Sequence, residues 1–129
     1  MLAMRELAEL SSGDHFERGA VREFYYRLSE IVRVYIERKF GLAAPEMTTE
    51  EFLVRLARDR SAVPYDADRL RAFLEECDRV KYAAYEPRRE DGEQSISAAR
   101  AFVDATAAAV AAAQKSGADA PGRAREDAA

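Results

Sequence analysis

The stretch from Phe16 to Phe52, FERGAVREFYYRLSEIVRVYIERKFGLAAPEMTTEEF, constrains the fold more than any other part of the chain. From Phe16 to Phe40 the apolar residues Val21, Phe24, Tyr25, Leu28, Ile31, Val32, Tyr35, Ile36 and Phe40 recur at helical spacing, often with a paired neighbour. One face of an α-helix collects residues three and four apart, so the pattern predicts a long helix with a broad buried stripe rather than a narrow coiled-coil seam. Gly41 stands where a left-handed residue ends a helix, and Leu42 is placed to fold back as in a Schellman motif.

Thr48-Thr49-Glu50-Glu51 is a second start signal. Thr48 can cap the amide of Glu51 while the Glu51 carboxylate reaches back to the amide of Thr48, and Met47 with Phe52 occupies the two positions of a hydrophobic staple. This third helix is expected to reach about Arg60 and to bury Phe52, Leu53 and Leu56. Before the long helix, residues 2 to 10 carry a short stripe through Leu2, Leu7 and Leu10, stopped by the turn-forming run Ser11-Ser12-Gly13-Asp14. Pro64 and Asp66, the latter as cap, introduce a fourth helix whose stripe runs through Leu70, Phe73, Leu74, Cys77, Val80 and Tyr85 to Pro87. A charged turn from Pro87 to Gly92 leads to the last helix, with Ile96, Ala99, Phe102, Val103, Thr106 and Val110 on its inner face. Strand alternation and internal repeats are absent from the pattern. The expectation is an all-α single bundle of about five helices, the first one short, over residues 1–115, followed by a disordered tail over residues 116–129.

At 129 residues the chain is the size of one ordinary domain, able to build a core without metal or disulfide support. Its 20 basic and 24 acidic residues give a net charge of −4, so no global field recruits nucleic acid or acidic lipid. A lone cysteine cannot form an internal disulfide, which suits a reducing compartment. No run of transmembrane length and no signal-peptide pattern at Met1 is present, so a soluble, cytoplasmic chain is expected.

Little in the sequence is arranged for chemistry. His15, beside Asp14 in a turn, can be imagined as an oriented proton carrier, but no activated nucleophile and no second histidine accompanies it; a solvated or capping loop residue is the simpler account. Cys77 lies on an apolar stripe with Glu75, Glu76 and Asp78 around it, a setting for a packed thiol rather than a reactive thiolate. The same carboxylates can be imagined as a cation site. They lack converging loop carbonyls, and Arg71, Arg79 and Lys81 are placed to pair with them along the helix. Of six tyrosines, Tyr25 and Tyr35 fall within the long helix's stripe, whereas Tyr26 and Tyr82 fall off the stripes and are open to solvent or to a partner. Helix, turn and capped helix also resemble a DNA-binding arrangement. However, Glu50 and Glu51 would set carboxylates where a recognition helix approaches phosphates.

Two segments carry a family resemblance: YYRLSEIVRVYIERKFGLAAPEMTTEEFL, Tyr25 to Leu53, and FLEECDRVKYAAYEP, Phe73 to Pro87. Leu28-Ser29-Glu30-Ile31, Gly41, Thr48 to Leu53 and Asp78 to Tyr85 are similar, in order and spacing, to the cytosolic helical region of BatD-like and related membrane proteins. These belong to aerotolerance-type systems built around a MoxR-family AAA+ ATPase and von Willebrand factor A-domain partners. The likeness spans roughly residues 5 to 105. In such proteins a membrane helix precedes this region, so the resemblance implies either an excised cytosolic domain of a membrane-anchored protein or a stand-alone relative. It implies a non-catalytic adaptor at the cytoplasmic face of the membrane, contacting the ATPase or an A-domain protein. It carries over no catalytic, cofactor or metal residue.

The end of the fourth helix, Asp78, Lys81, Tyr82 and Tyr85, combines charge and aromatic groups beyond what packing requires and is the candidate partner-binding site. No catalytic residue, cofactor or metal ligand is expected, and no nucleic acid. The alternatives are a helical nucleic-acid-binding regulator and a small enzyme using His15 or the acidic cluster.

Overall fold

The computed structural model describes residues 2–41, 47–58, 66–83 and 85–119. These form five helices: α1 (Leu2–Ser11), α2 (Val21–Phe40), α3 (Thr49–Arg58), α4 (Ala67–Tyr82) and α5 (Arg89–Asp119). No strand occurs among the described residues. The architecture is the all-α bundle that the apolar spacing predicts.

Helix α2 is the centre of the bundle and packs against α1, α4 and α5. Its stripe from Phe24 to Ile36 is buried as expected, and Leu7 and Leu10, Phe52 and Leu56, Leu74 and Cys77, and Ile96 and Val103 close over it from the other helices. Leu2 departs from the expected α1 stripe: it is exposed, and Ala3 takes the buried position. Two tyrosines cross the core with their hydroxyls paired, as buried phenols require. Tyr25 shares a hydrogen bond with Ser95 at 3.3 Å, and Tyr35 meets Thr106 Oγ1 at 2.7 Å and donates to the Val103 carbonyl at 3.2 Å. Both tie α2 to α5.

The predicted helix ends hold where local chemistry decides them. Thr48 and Glu51 form the reciprocal capping box, with the Glu51 amide donating to Thr48 Oγ1 at 3.2 Å and the Thr48 amide donating to Glu51 Oε1 at 3.0 Å. Met47 packs against the core that contains Phe52. Asp66 caps α4 by accepting from the Arg69 amide at 3.0 Å. Gly41 ends α2 in the left-handed conformation. The fold-back at Leu42, the third helix's end near Arg60, the break at Pro64 and the Val110 side chain lie outside the described residues.

Four boundaries differ from the sequence expectation. The long helix begins at Val21, not near Phe16: residues 15–19 form a turn closed by the Ala20 amide on the His15 carbonyl, with Gly19 at φ 74°. Helix α4 stops at Tyr82, before Pro87. The proline ring would clash with the carbonyl four residues back, so the helix must end near Ala83; Tyr85 therefore lies outside the helical stripe and is exposed. Helix α5 begins at Arg89, so Gly92 is in its first turn rather than in a preceding loop. The Asp91 carboxylate accepts from the Arg88 amide at 2.9 Å and starts the helix there. Helix α5 also runs past Ser116 to Asp119, and residues 120–129 of the expected tail lie outside the described residues.

Candidate interaction site

The carboxyl-terminal turns of α4 meet the middle of α2 and the first turn of α3. Asp78, Lys81 and Tyr82 come from α4; Tyr26, Ser29, Glu30 and Arg33 come from one face of α2; Thr48 and Thr49 come from the start of α3. Together they line an open groove of about 720 Å³.

Beneath the groove a polar chain links the three helices. The Arg33 guanidinium donates to the Met47 carbonyl and to Thr49 Oγ1, and Thr49 in turn donates to Asp78 Oδ2 at 2.7 Å. Lys81 lies 3.8 Å from the other Asp78 oxygen and donates to Ser29 Oγ at 3.1 Å. Arg33 is buried, which pulls its guanidinium below the ordinary value; the Asp78 charge works in the opposite direction. An arginine remains cationic through such a shift. Only 9% of the Lys81 side chain is exposed, so its ammonium is a structural cation held by Asp78, Ser29 and two rings.

Those rings are the accessible part of the site. Tyr26 and Tyr82 are 46% and 70% exposed and stand edge to face, with centroids 6.3 Å apart. The Lys81 ammonium sits 5.1 Å from the Tyr26 centroid and 5.4 Å from that of Tyr82, which fixes both rings by cation–π attraction. Tyrosine in this state offers a large, rigid, amphipathic contact at low entropic cost.

The four residues singled out from the sequence are therefore not one site. Asp78, Lys81 and Tyr82 come together, but Tyr85 faces a second groove between α4 and α5, where the Arg79 guanidinium stacks 5.9 Å from its ring centroid. Tyr26 and Arg33 join the site through the fold. The available signal was the spacing of Tyr26, Ser29 and Arg33 at i, i+3 and i+7 on α2, a polar stripe beside the apolar one.

The other candidate residues have ordinary surroundings. Asp14 accepts from Arg18 at 2.7 Å, a hydrogen bond that holds its carboxyl below the usual range, and so it is engaged away from His15. His15 is half-buried with its ring 6.0 Å from Phe24. Cys77 is fully buried, and desolvation pushes its thiol up to about 12, far from a reactive thiolate. Glu75 pairs with Arg71 and Glu76 with Arg79. Among the described residues no group of His, Cys, Asp and Glu side chains converges as metal ligands do. At the start of α3, the Glu51 carboxylate accepts from the Thr48 amide and Glu50 accepts from Arg71 at 3.1 Å. No described helix is long and apolar enough to cross a membrane.

No protein-family model, curated protein or solved structure matches this chain.

Proposed function

We propose that this domain is a non-catalytic adaptor that docks a protein partner through the exposed Tyr26–Tyr82 pair. The observation that carries the reading is the pair itself: two solvent-facing tyrosines held at right angles by a largely buried lysine whose ammonium donates to Ser29 and pairs with Asp78 within the bundle. Burying either ring against a partner adds apolar contact without stripping Lys81 of its partners, which suits aromatic anchors of protein interfaces. The partner class follows from the resemblance in Tyr25–Leu53 and Phe73–Pro87: a MoxR-type AAA+ ATPase or a von Willebrand A-domain protein, at the cytoplasmic face of the membrane. Membrane attachment would come through a further segment or through that partner.

The test is direct binding of the purified chain to a purified MoxR-type ATPase and to an A-domain protein from the same genome. Tyr82→Ala and Tyr26→Ala serve as variants because both rings are exposed and the bundle should tolerate their loss. Binding by the wild type that falls about tenfold or more in either variant supports the reading. Undiminished binding by both variants discards the surface, and no binding to either protein discards the partner class.

A further inference from the structure

The charged side chains that line the tyrosine groove among the described residues are all engaged within the bundle. Arg27 pairs with Glu6 at 3.0 Å and with Glu30 at 3.1 Å. Arg33 donates to the Met47 carbonyl and to Thr49, while Asp78 accepts from Thr49 and holds Lys81. The groove therefore offers an incoming segment no uncommitted charge by which to be selected. What it does offer is aromatic surface and hydroxyl donors. The rings of Tyr26 and Tyr82 stand at 85° to one another with centroids 6.3 Å apart, so they form two walls of a corner. Lys81 backs that corner from the protein side, and the solvent side is open. No hydrogen bond among the described residues engages either phenol hydroxyl. At the α3 edge of the groove, Thr48 Oγ1 accepts from the Glu51 amide, which leaves its own proton to donate outward.

We propose that this corner receives a proline-rich segment of the protein partner in the polyproline II conformation, an inference that rests on the tyrosine pair being the docking surface. A polyproline II helix has no internal hydrogen bonds, so its carbonyls project as unpaired acceptors. They accept from the Tyr26, Tyr82 and Thr48 hydroxyls, and proline brings no N–H that the groove would have to satisfy. With about three residues per turn, such a helix is a three-sided rod that presents an edge. The pyrrolidine faces on either side of that edge lie on two rings set near a right angle. The spacing agrees, since 6.3 Å between centroids is about two residues of a helix rising about 3.1 Å per residue. Aromatic-lined grooves take proline-rich segments in this way because the guest is ordered before it binds and loses little entropy. A guest selected by charge would have to break an ion pair that the bundle already makes.

The probe is a capped oligoproline peptide about ten residues long, titrated into the isotope-labelled full chain and followed by backbone amide shifts. A glycine–serine peptide of the same length, uncharged but with a flexible backbone, is the control. The expected result is saturable shifts centred on Tyr26, Ser29, Thr48 and Tyr82, with the control weaker by about tenfold or more. Tyr82→Ala should weaken oligoproline binding about tenfold. The Tyr26→Phe/Tyr82→Phe chain, which keeps both rings and loses both hydroxyls, should bind about threefold more weakly or worse. Equal binding of the two peptides, shifts centred on Leu70 and Phe102 in the α4–α5 groove, or undiminished affinity in either variant would overturn the proposal. Shifts at the corner that grow with protein concentration alone would overturn it in favour of a second copy as the occupant. If a partner protein binds through Tyr82 while oligoproline neither binds nor displaces it, the proline-rich occupant is overturned and the tyrosine surface stands. If oligoproline saturates the corner and neither candidate protein binds, the occupant is supported and only the partner class is lost.

Discussion

The Thr49 hydroxyl donates to the Asp78 carboxylate at 2.7 Å while accepting from the Arg33 guanidinium, so one small side chain joins α2, α3 and α4. Its neighbour Thr48 does a purely local task, capping α3. Two adjacent threonines therefore stabilise the fold on different scales. Thr48→Ala should cost about 1 kcal/mol, the usual loss of an N-cap hydroxyl. Thr49→Val removes a hydrogen bond from each of two charged groups and should cost about 2 kcal/mol or more. Urea unfolding of the two variants checks the order; a Thr49→Val chain as stable as Thr48→Ala would show that the polar chain beneath the groove contributes little.

Gly92 tests a close approach that only the folded chain reveals. A Cβ placed there would lie 2.6 Å from the Phe16 ring, well inside contact distance. On helix propensity alone Gly92→Ala would stabilise α5 by up to about 1 kcal/mol. The clash reverses the sign, and the expected outcome is a net loss of about 1–2 kcal/mol. The double variant with Phe16→Leu should lose less than the sum of the two single changes, since the ring is what the new methyl meets. A stabilised Gly92→Ala protein would refute the account.

Alkaline pH should destabilise the bundle through buried neutral groups. Desolvation raises Cys77 from 9.0 to about 12 and Tyr25 from 10.0 to about 12, and it also raises Tyr35. Each group deprotonates more readily unfolded than folded, so above pH 9.0 the folded state binds more protons and stability falls as pH rises. The contribution is whole below the unfolded values and is lost as pH climbs through about 12. Melting temperature measured from about pH 8 to about pH 11 should decline, and the decline should be shallower in Cys77→Ala. A flat profile would contradict the burial of these groups.

The lone thiol gives a separate kinetic readout. Cys77 is fully buried in the core, so an aromatic disulfide reagent should label it only as fast as the chain opens, and promptly in denaturant. Prompt labelling of the native protein would show that α4 leaves the bundle readily.

The helix inventory was legible because it rests on local rules. The stripe of α2, the capping box at Thr48 and the cap at Asp66 each need only residues within a few positions of one another, and all appear in the fold. The boundary differences have separate origins. A charged turn from Pro87 to Gly92 is the sequence expectation, yet Gly92 sits inside α5, whose start is set where the Asp91 carboxylate accepts from the Arg88 amide, and Phe16, far away in sequence, takes the space a side chain at Gly92 would occupy. Tyr85 was placed on the α4 stripe, but the proline at position 87 stops that helix near Ala83 and leaves Tyr85 facing a different groove.

The candidate site shows the same division. Helical spacing marked Asp78, Lys81 and Tyr82 as one neighbourhood on α4, and local geometry alone delivers that. That Lys81 is a largely buried structural cation rather than an exposed handle depends on Ser29 and Tyr26, 52 positions away in the case of Ser29. The sequence by itself determined which segments are helical, where most of them start and which faces are apolar, since those properties are set by backbone geometry and near neighbours. Only the tertiary structure decided which polar residues meet, because the packing of α2 and of α3 against α4 brings distant side chains within hydrogen-bond reach. In doing so it turned Asp78 and Lys81 inward and left Tyr26 and Tyr82 as the surface a partner can touch.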